Sequence, residues 1–169
     1  MIDDLILRTP NPQDIDFMLQ LENDPEIWKV SQTQTPFSRD EIAAFITENK
    51  HDLITENQLR NIIVLKSNNT PIGTLDLFSF DKMKNTAGIG ISILKEWRGK
   101  KYASLALELF IKKSFSEFNL QELYCTIFTD NYISISLFES KGFVREGILN
   151  NNVHYKGQAF DVYLYRLKK

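Results

Sequence analysis

One cysteine and two histidines are all the thiol and imidazole metal ligands that the 169-residue sequence contains. A lone Cys125 excludes an internal disulfide and suits a reducing, cytoplasmic setting. Cys125, His51 and His154 lie far apart, so no metal ligand set is expected. No apolar run approaches the ~20 residues of a membrane-spanning helix. The start, MIDDLILRTPNPQDID, is acidic and lacks the basic residues and apolar stretch of a signal peptide. Net charge is lacking too. Twenty basic against 22 acidic residues leave -2 at neutral pH, so the chain as a whole has no electrostatic reason to seek nucleic acid. The common phosphate-loop signatures, G-x-x-x-x-G-K-[ST] and G-x-G-x-x-G, are absent as well.

What is present is an ordinary globular composition, with 43% hydrophobic and 25% charged residues, enough for one domain over 1–169 with a substantial core. Elements alternate along it. DLILRTP reads as a strand stopped by Pro10. NPQDIDFMLQLEND reads as a helix capped by Asn11, with Pro12 in its first turn. NDPEIWKVSQTQTPF is expected to be irregular. SRDEIAAFITENK restarts a helix with Ser38 and Glu41 spaced as a capping box. RNIIVLKS, the turn NNTP and IGTLDLFSF form a hairpin. TAGIGISIL is a strand in which Gly88 and Gly90 mark a bulge or a close approach. Ala103, Ala106, Leu107, Phe110, Ile111 and Phe118 then fall at helical spacing. ELYCTIFTD is a strand, NYISISLFESKG a short helix, and two strands close the chain.

The segment KEWRGKKYASLALELF opens that longer helix with four cations, Lys95, Arg98, Lys100 and Lys101. Cations oppose the positive end of a helix dipole, so their place here needs a reason. Either they are a solvated surface turn, or an anion neutralises them. Unpaired N–H groups at a helix start favour phosphate, and Gly99 would let the backbone approach it closely.

From IGTLDLF through ISILKEWRGKKYAS to TDNYISISLFESKGFVREG and DVYLYRL, nearly the whole chain resembles the GNAT superfamily of N-acetyltransferases. The family's signature is Arg or Gln, two residues, Gly, one residue, then Gly or Ala, and it falls on Arg98, Lys101 and Ala103. Asn131, Ser134 and GFVREG are similar to the branch of ribosomal-protein N-terminal and spermidine acetyltransferases. The resemblance implies an α/β (α+β) fold: a mostly antiparallel mixed sheet of about seven strands with about four helices. It implies an enzyme that moves acetyl from acetyl-CoA to a primary amine, a peptide N-terminus or small amine, by direct attack in a ternary complex. A polyamine acetyltransferase is the alternative. A catalytically quiet acetyl-CoA-binding sensor is the alternative from another class. Cytoplasmic location and no membrane or nucleic-acid partner are expected, with self-association left open.

The resemblance also assigns residues. Arg98, Gly99, Lys100, Lys101, Tyr102, Ala103 and Ser104 would hold the pyrophosphate of acetyl-CoA. Ile91, Ser92 and Ile93 would splay from the neighbouring strand and offer backbone groups to the pantetheine arm. Asn131 would bond that arm, and Ser134 would lie near the thiol. Two departures stand out. Lys101 replaces the family's glycine; backbone donation survives that provided Lys101 needs no positive φ, and altered affinity rather than a lost site is expected. Phe138 stands beside the donor where many relatives have a tyrosine acid, and the place of a strand carboxylate falls near Gly88.

Missing acid–base groups matter because a lysine-like amine, pKa ~10.4, is neutral less than about once in a thousand at pH 7, whereas an α-amino group near ~8 suffers far less. Ser134 is the candidate to order a water or protonate the thiolate, although a serine in a helix's first turn is often only structural. Asp76 and His154 are further candidates, each with an ordinary surface reading. His51 reads as a helix-surface residue, Tyr102 as packing beside the turn, and Cys125 as core. Acceptor choice would rest on DPEIWKVSQTQTPFSRDEI. Its Asp24, Glu26, Asp40 and Glu41 favour a polyamine, whereas its neutral middle and Ser79 argue against one. Trp28 and Phe37 would either wall a pocket or pack between helices.

Overall fold

The computed structural model describes residues 4–169, so the first three residues of the expected 1–169 domain lie outside it. The seven strands are β1 (Leu5–Arg8), β2 (Leu59–Leu65), β3 (Thr70–Asp81), β4 (Thr86–Ile93), β5 (Glu122–Phe128), β6 (Val144–Tyr155) and β7 (Gln158–Lys168). They form one sheet in the order β1-β2-β3-β4-β5-β7-β6. Every pairing is antiparallel except β4 with β5. The helices are α1 (Ile15–Glu22), α2 (Pro25–Ser31), α3 (Arg39–Glu48), α4 (Leu53–Glu56), α5 (Tyr102–Ser116) and α6 (Tyr132–Ser140).

Both faces of the sheet centre are covered, which is why IIVL, residues 62–65, reads as an unbroken apolar run rather than an alternation. Ile63 and Leu65 join a cluster with Leu75, Ile89, Leu107, Phe110 and Tyr165, under α5. Ile62 and Val64 join Phe17, Met18, Leu21, Ile42 and Ile46, under α1 and α3. The capping box of α3 forms as its spacing predicts: Ser38 accepts from the Glu41 N–H while Glu41 answers at the Ser38 N–H. Asn11 and Asp14 do the same at a short 3-10 turn that leads into α1.

Two readings change. The segment expected to be irregular contains α2, capped by Asp24, whose side chain accepts from the Glu26 N–H at 2.9 Å, with Pro25 in the first turn. No residue of α2 is buried, so it carries no apolar stripe to announce it. With the equally inconspicuous α4, this brings the helices to six rather than about four. At Gly88, the close approach is made by a side chain: a Cβ there would sit 2.2 Å from the Phe78 ring.

Candidate active site

β4 and β5 pair only at Thr86–Glu122, Ala87–Leu123 and Gly88–Tyr124. Beyond that the strands part, while β4 stays paired to β3 as far as Ile93. The resulting wedge exposes β4 backbone on one side and is lined by Ile91, Ser92, Ile93, Arg98, Asn131, Ile133 and Ser134, with Glu26, Ile27 and Val30 of α2 above it. At its far wall Asn131 caps α6, its Oδ1 accepting from the Ser134 N–H at 3.2 Å.

The cationic loop closes the wide end. A short 3-10 turn, Lys95–Trp97, leads to Arg98, whose Nε donates to the Ile93 carbonyl at 2.8 Å and so ties loop to strand. Gly99 has φ +74, and Lys101, the residue before α5, has φ +67. Lys101 therefore does need the positive φ, and the cost falls on its backbone conformation. It takes the left-handed conformation in which glycine is at ease, and its backbone carries the associated strain. No side chain caps α5 and no acid stands in its first turn, so its leading N–H groups are left for an anion. Lys100 rests over the Trp97 ring at 4.7 Å, and Trp97 meets Tyr102 edge-on.

Two of the four cations already have partners. Arg98 donates to Glu26 at 2.7 Å and to Asp24 at 3.1 Å, and Lys95 pairs with Glu26. Hydrogen bonds from Lys95 and Arg98 hold the Glu26 carboxyl below its ordinary pKa.

On the other side of α2, the wedge runs into a deeper cleft. Gly90, Ile91 and Ser92 line its inner part with Ile27, Val30 and Ser31. Phe37, Phe45, Phe78 and Glu41 line its outer part, of about 390 Å³. Glu22, Arg60 and Asp76 stand where the two parts meet. Hairpin register sets Arg60 opposite Asp76, and Asp76 opposite Gly90, which has no side chain to cover it. Arg60 donates to Asp76 at 2.7 and 3.1 Å and to Glu22 from its third nitrogen. Burial alone would lower the Arg60 pKa, but the two carboxylates outweigh it and keep the guanidinium charged. Two acids on one cation leave the trio at -1, open to a further cation.

A model of the acetyltransferase (GNAT) domain matches residues 4–144. The chain belongs to the GNAT acetyltransferase family. It is 31% identical to an uncharacterised N-acetyltransferase, p20, of Bacillus licheniformis over 98% of this chain and 93% of that one. It is 27% identical to a spermidine N(1)-acetyltransferase of Vibrio cholerae over 94% of this chain and 89% of that one. A Vibrio cholerae spermidine N-acetyltransferase solved in complex with CoA and spermine shares the fold, with a TM-score of 0.88 at 24% identity over 98% and 96% of the two chains. This GNAT protein is thus an N-acetyltransferase with acetyl-CoA as donor, and its sheet of seven strands is the family's.

Of the residues the sequence assigns to the GNAT donor, Ile91, Ser92, Ile93, Arg98, Asn131 and Ser134 converge on the wedge, whereas Gly99 to Ser104 continue the chain from Arg98 into α5 without lining it. Phe138 does not line it: the ring is 4% exposed and packs edge-on against Phe143 in the core. Asp76 belongs to the cleft rather than to open solvent, whereas Asp24 and Glu26 turn toward the cationic loop. Phe37 lines the cleft. Trp28 instead ties its indole N–H to the Glu22 carbonyl. His51 is half-buried with its Nε2 against the Ile46 carbonyl, and His154 is exposed on β6. Among the described residues, no group of three or more His, Cys, Asp or Glu could hold a metal. Sequence reasoning missed Arg60 and the inward carboxylate of Glu22. Pairing the strands across NNTP would have set Arg60 opposite Ser79; the tighter turn, Leu65 opposite Thr70, and the irregularity at Ile63/Val64 bring it to Asp76.

Proposed function

We propose that this enzyme acetylates a small cationic amine, polyamines foremost, by direct attack on acetyl-CoA lying in the β4–β5 wedge. The observation that carries the reading is the anionic Glu22–Arg60–Asp76 trio, which opens onto both the cleft and the splayed strand. In this reading the diphosphate sits at Arg98, Gly99, Lys100, Lys101 and the leading N–H groups of Tyr102, Ala103 and Ser104. The pantetheine amides pair with Ile91–Ile93 and with Asn131. The acceptor's ammonium is drawn between Glu22 and Asp76, and the aromatic walls of Phe37, Phe45 and Phe78 take its aliphatic part.

Once the amine has released a proton to water, its lone pair attacks the thioester carbonyl. The C–S bond breaks, the thiolate leaves, and the new amide nitrogen gives up its second proton. Ser134, on the far wall of the wedge, is the group assigned to order water at the departing sulfur. Positioning of the two reactants supplies the larger share of the acceleration. The spermidine acetyltransferases among the relatives add weight to a polyamine.

The test is thiol release from saturating acetyl-CoA against spermidine, a simple monoamine and a peptide with a free N-terminus. Spermidine is expected to win. Asp76→Asn should raise its KM about tenfold or more, the scale of one charge-assisted contact, and leave the acetyl-CoA KM unchanged. A preference for the peptide, or an unmoved spermidine KM, refutes the acceptor reading. Donor binding without turnover of any amine points to a sensor.

A further inference from the structure

Helix α2 lies across the open side of the wedge and is fastened at both ends by charge. At one end Asp24 and Glu26 hold Arg98 and Lys95 of the cationic loop. At the other, Lys29 reaches the opposite wall, 3.2 Å from Asp130 and 4.5 and 4.3 Å from the ring centroids of Phe128 and Phe160. Between these ends no residue of α2 is fully buried, and its apolar hold is the partly buried Ile27 against the cluster under α1 and α3. Below it lie the donor wedge, lined by Glu26, Ile27 and Val30, and the amine cleft, lined by Ile27, Val30 and Ser31.

Arg98 and Lys95 therefore face two claimants. Their α2 carboxylates hold them now, and a diphosphate arriving at the start of α5 draws on Arg98 and attracts the neighbouring Lys95 by charge. Both cannot be served fully by one guanidinium and one ammonium. We propose that the donor's diphosphate displaces Asp24 and Glu26 from Arg98 and Lys95 and so frees the end of α2 that borders the donor wedge. This rests on the donor placement proposed above.

Three details suit such a latch. Asp24 also caps α2 through the Glu26 N–H, so losing Arg98 leaves the helix capped and free to shift as a body. Gln32, directly after α2, has φ +57, a sharp change of chain direction at the anchored end. Trp28, in the middle of α2, bonds the carbonyl of Glu22, whose carboxylate holds Arg60. A shift of α2 is thereby passed to the amine's own charge site.

The experiment is calorimetric titration of the full chain with CoA and with its nucleotide end alone, adenosine 3′-phosphate 5′-diphosphate, which has no pantetheine to fill the wedge. Wild type is compared with Glu26→Gln, with Asp24→Asn/Glu26→Gln and with Arg98→Ala. Asparagine caps a helix as well as aspartate, and Glu26 is exposed, so the fold should survive. The double variant is expected to bind both ligands about three- to tenfold tighter, the scale of one or two exposed ion pairs, with the advantage shrinking as salt rises. In wild type, the nucleotide end should speed hydrogen exchange at the amides of 26–31, the reverse of ordinary ligand protection. Equal or weaker binding by the double variant, with Arg98→Ala still impaired, overturns the latch and leaves the donor site standing. Unchanged binding by Arg98→Ala removes the donor placement and the latch with it.

Discussion

Replacing Gly88 by alanine measures how closely β3 and β4 are fitted above the cleft. The new methyl would lie 2.2, 2.5 and 2.6 Å from three carbons of the Phe78 ring. Carbon atoms rest at ~3.5–4.0 Å, so the ring must withdraw by more than ~1 Å. Phe78 is 38% exposed, which gives it somewhere to go, but leaving breaks its edge-on contact with Tyr124, 6.2 Å between centroids. Overpacking costs about 1–3 kcal/mol, and a ring with an exit belongs in the lower half, ~1–2 kcal/mol. The same substitution made in a Phe78→Ala background meets no ring. There it should stabilise by ~0.5–1 kcal/mol, because glycine inside a strand is that much worse than alanine. The effect thus changes sign between backgrounds, a coupling of about 2 kcal/mol, within the range for residues in contact. Urea unfolding of the four proteins in the cycle reads it directly, and thermal midpoints should move by ~2–4 °C per kcal/mol. Equal effects of Gly88→Ala in both backgrounds would refute the claim that Phe78 occupies that space.

Lys101→Gly should be more stable than Lys101→Ala by ~1 kcal/mol in denaturant titration, because both remove the charge but only glycine relieves φ +67; an alanine variant at least as stable would contradict the strained turn. Burial pushes the Cys125 thiol up to about 12. A raised thiol pKa costs stability as pH climbs from its unfolded value of 9.0, because the unfolded chain then gives up a proton that the native chain keeps. Cys125→Ala should flatten the alkaline limb of the stability curve by ~1.4 kcal/mol per unit between pH 9 and 11, read by urea titration at each pH. Native wild type should resist thiol reagents at pH 8, and rapid labelling without unfolding would count against the burial.

Much of the fold was legible where the sequence obeys local rules. The hairpin of β2 and β3, the α3 capping box and α5 follow from apolar runs either side of a polar turn, cap spacing and helical period. Helix α2 was hidden because nothing in it is buried, and only the Asp24-Pro25 start betrays it. At the site, the convergence of Ile91–Ile93, Asn131 and Ser134 was visible through the family resemblance. The trio of Glu22, Arg60 and Asp76 was not, because its members come from a helix and two strands 38 and 16 positions apart. Charge pairs at such distances leave no periodic trace. Glu22 even passes for part of an apolar helix face, since its side chain points inward for a polar reason.

The narrow join between β4 and β5 has a consequence for how the molecule breathes. Three residue pairs link a half-sheet made wholly from residues 5–93 to one made wholly from 122–168. Within each half the strands pair antiparallel, while the join needs a parallel crossover through α5, the kind of pairing that forms slowly. That seam should be the last ladder the folding chain closes and the first that a folded chain opens. Amides along β4 would then exchange along a gradient, quickest beside the wedge and slowest toward β3. A cofactor lying in the gap would act as a missing rung, and the donor would complete the sheet as well as react on it.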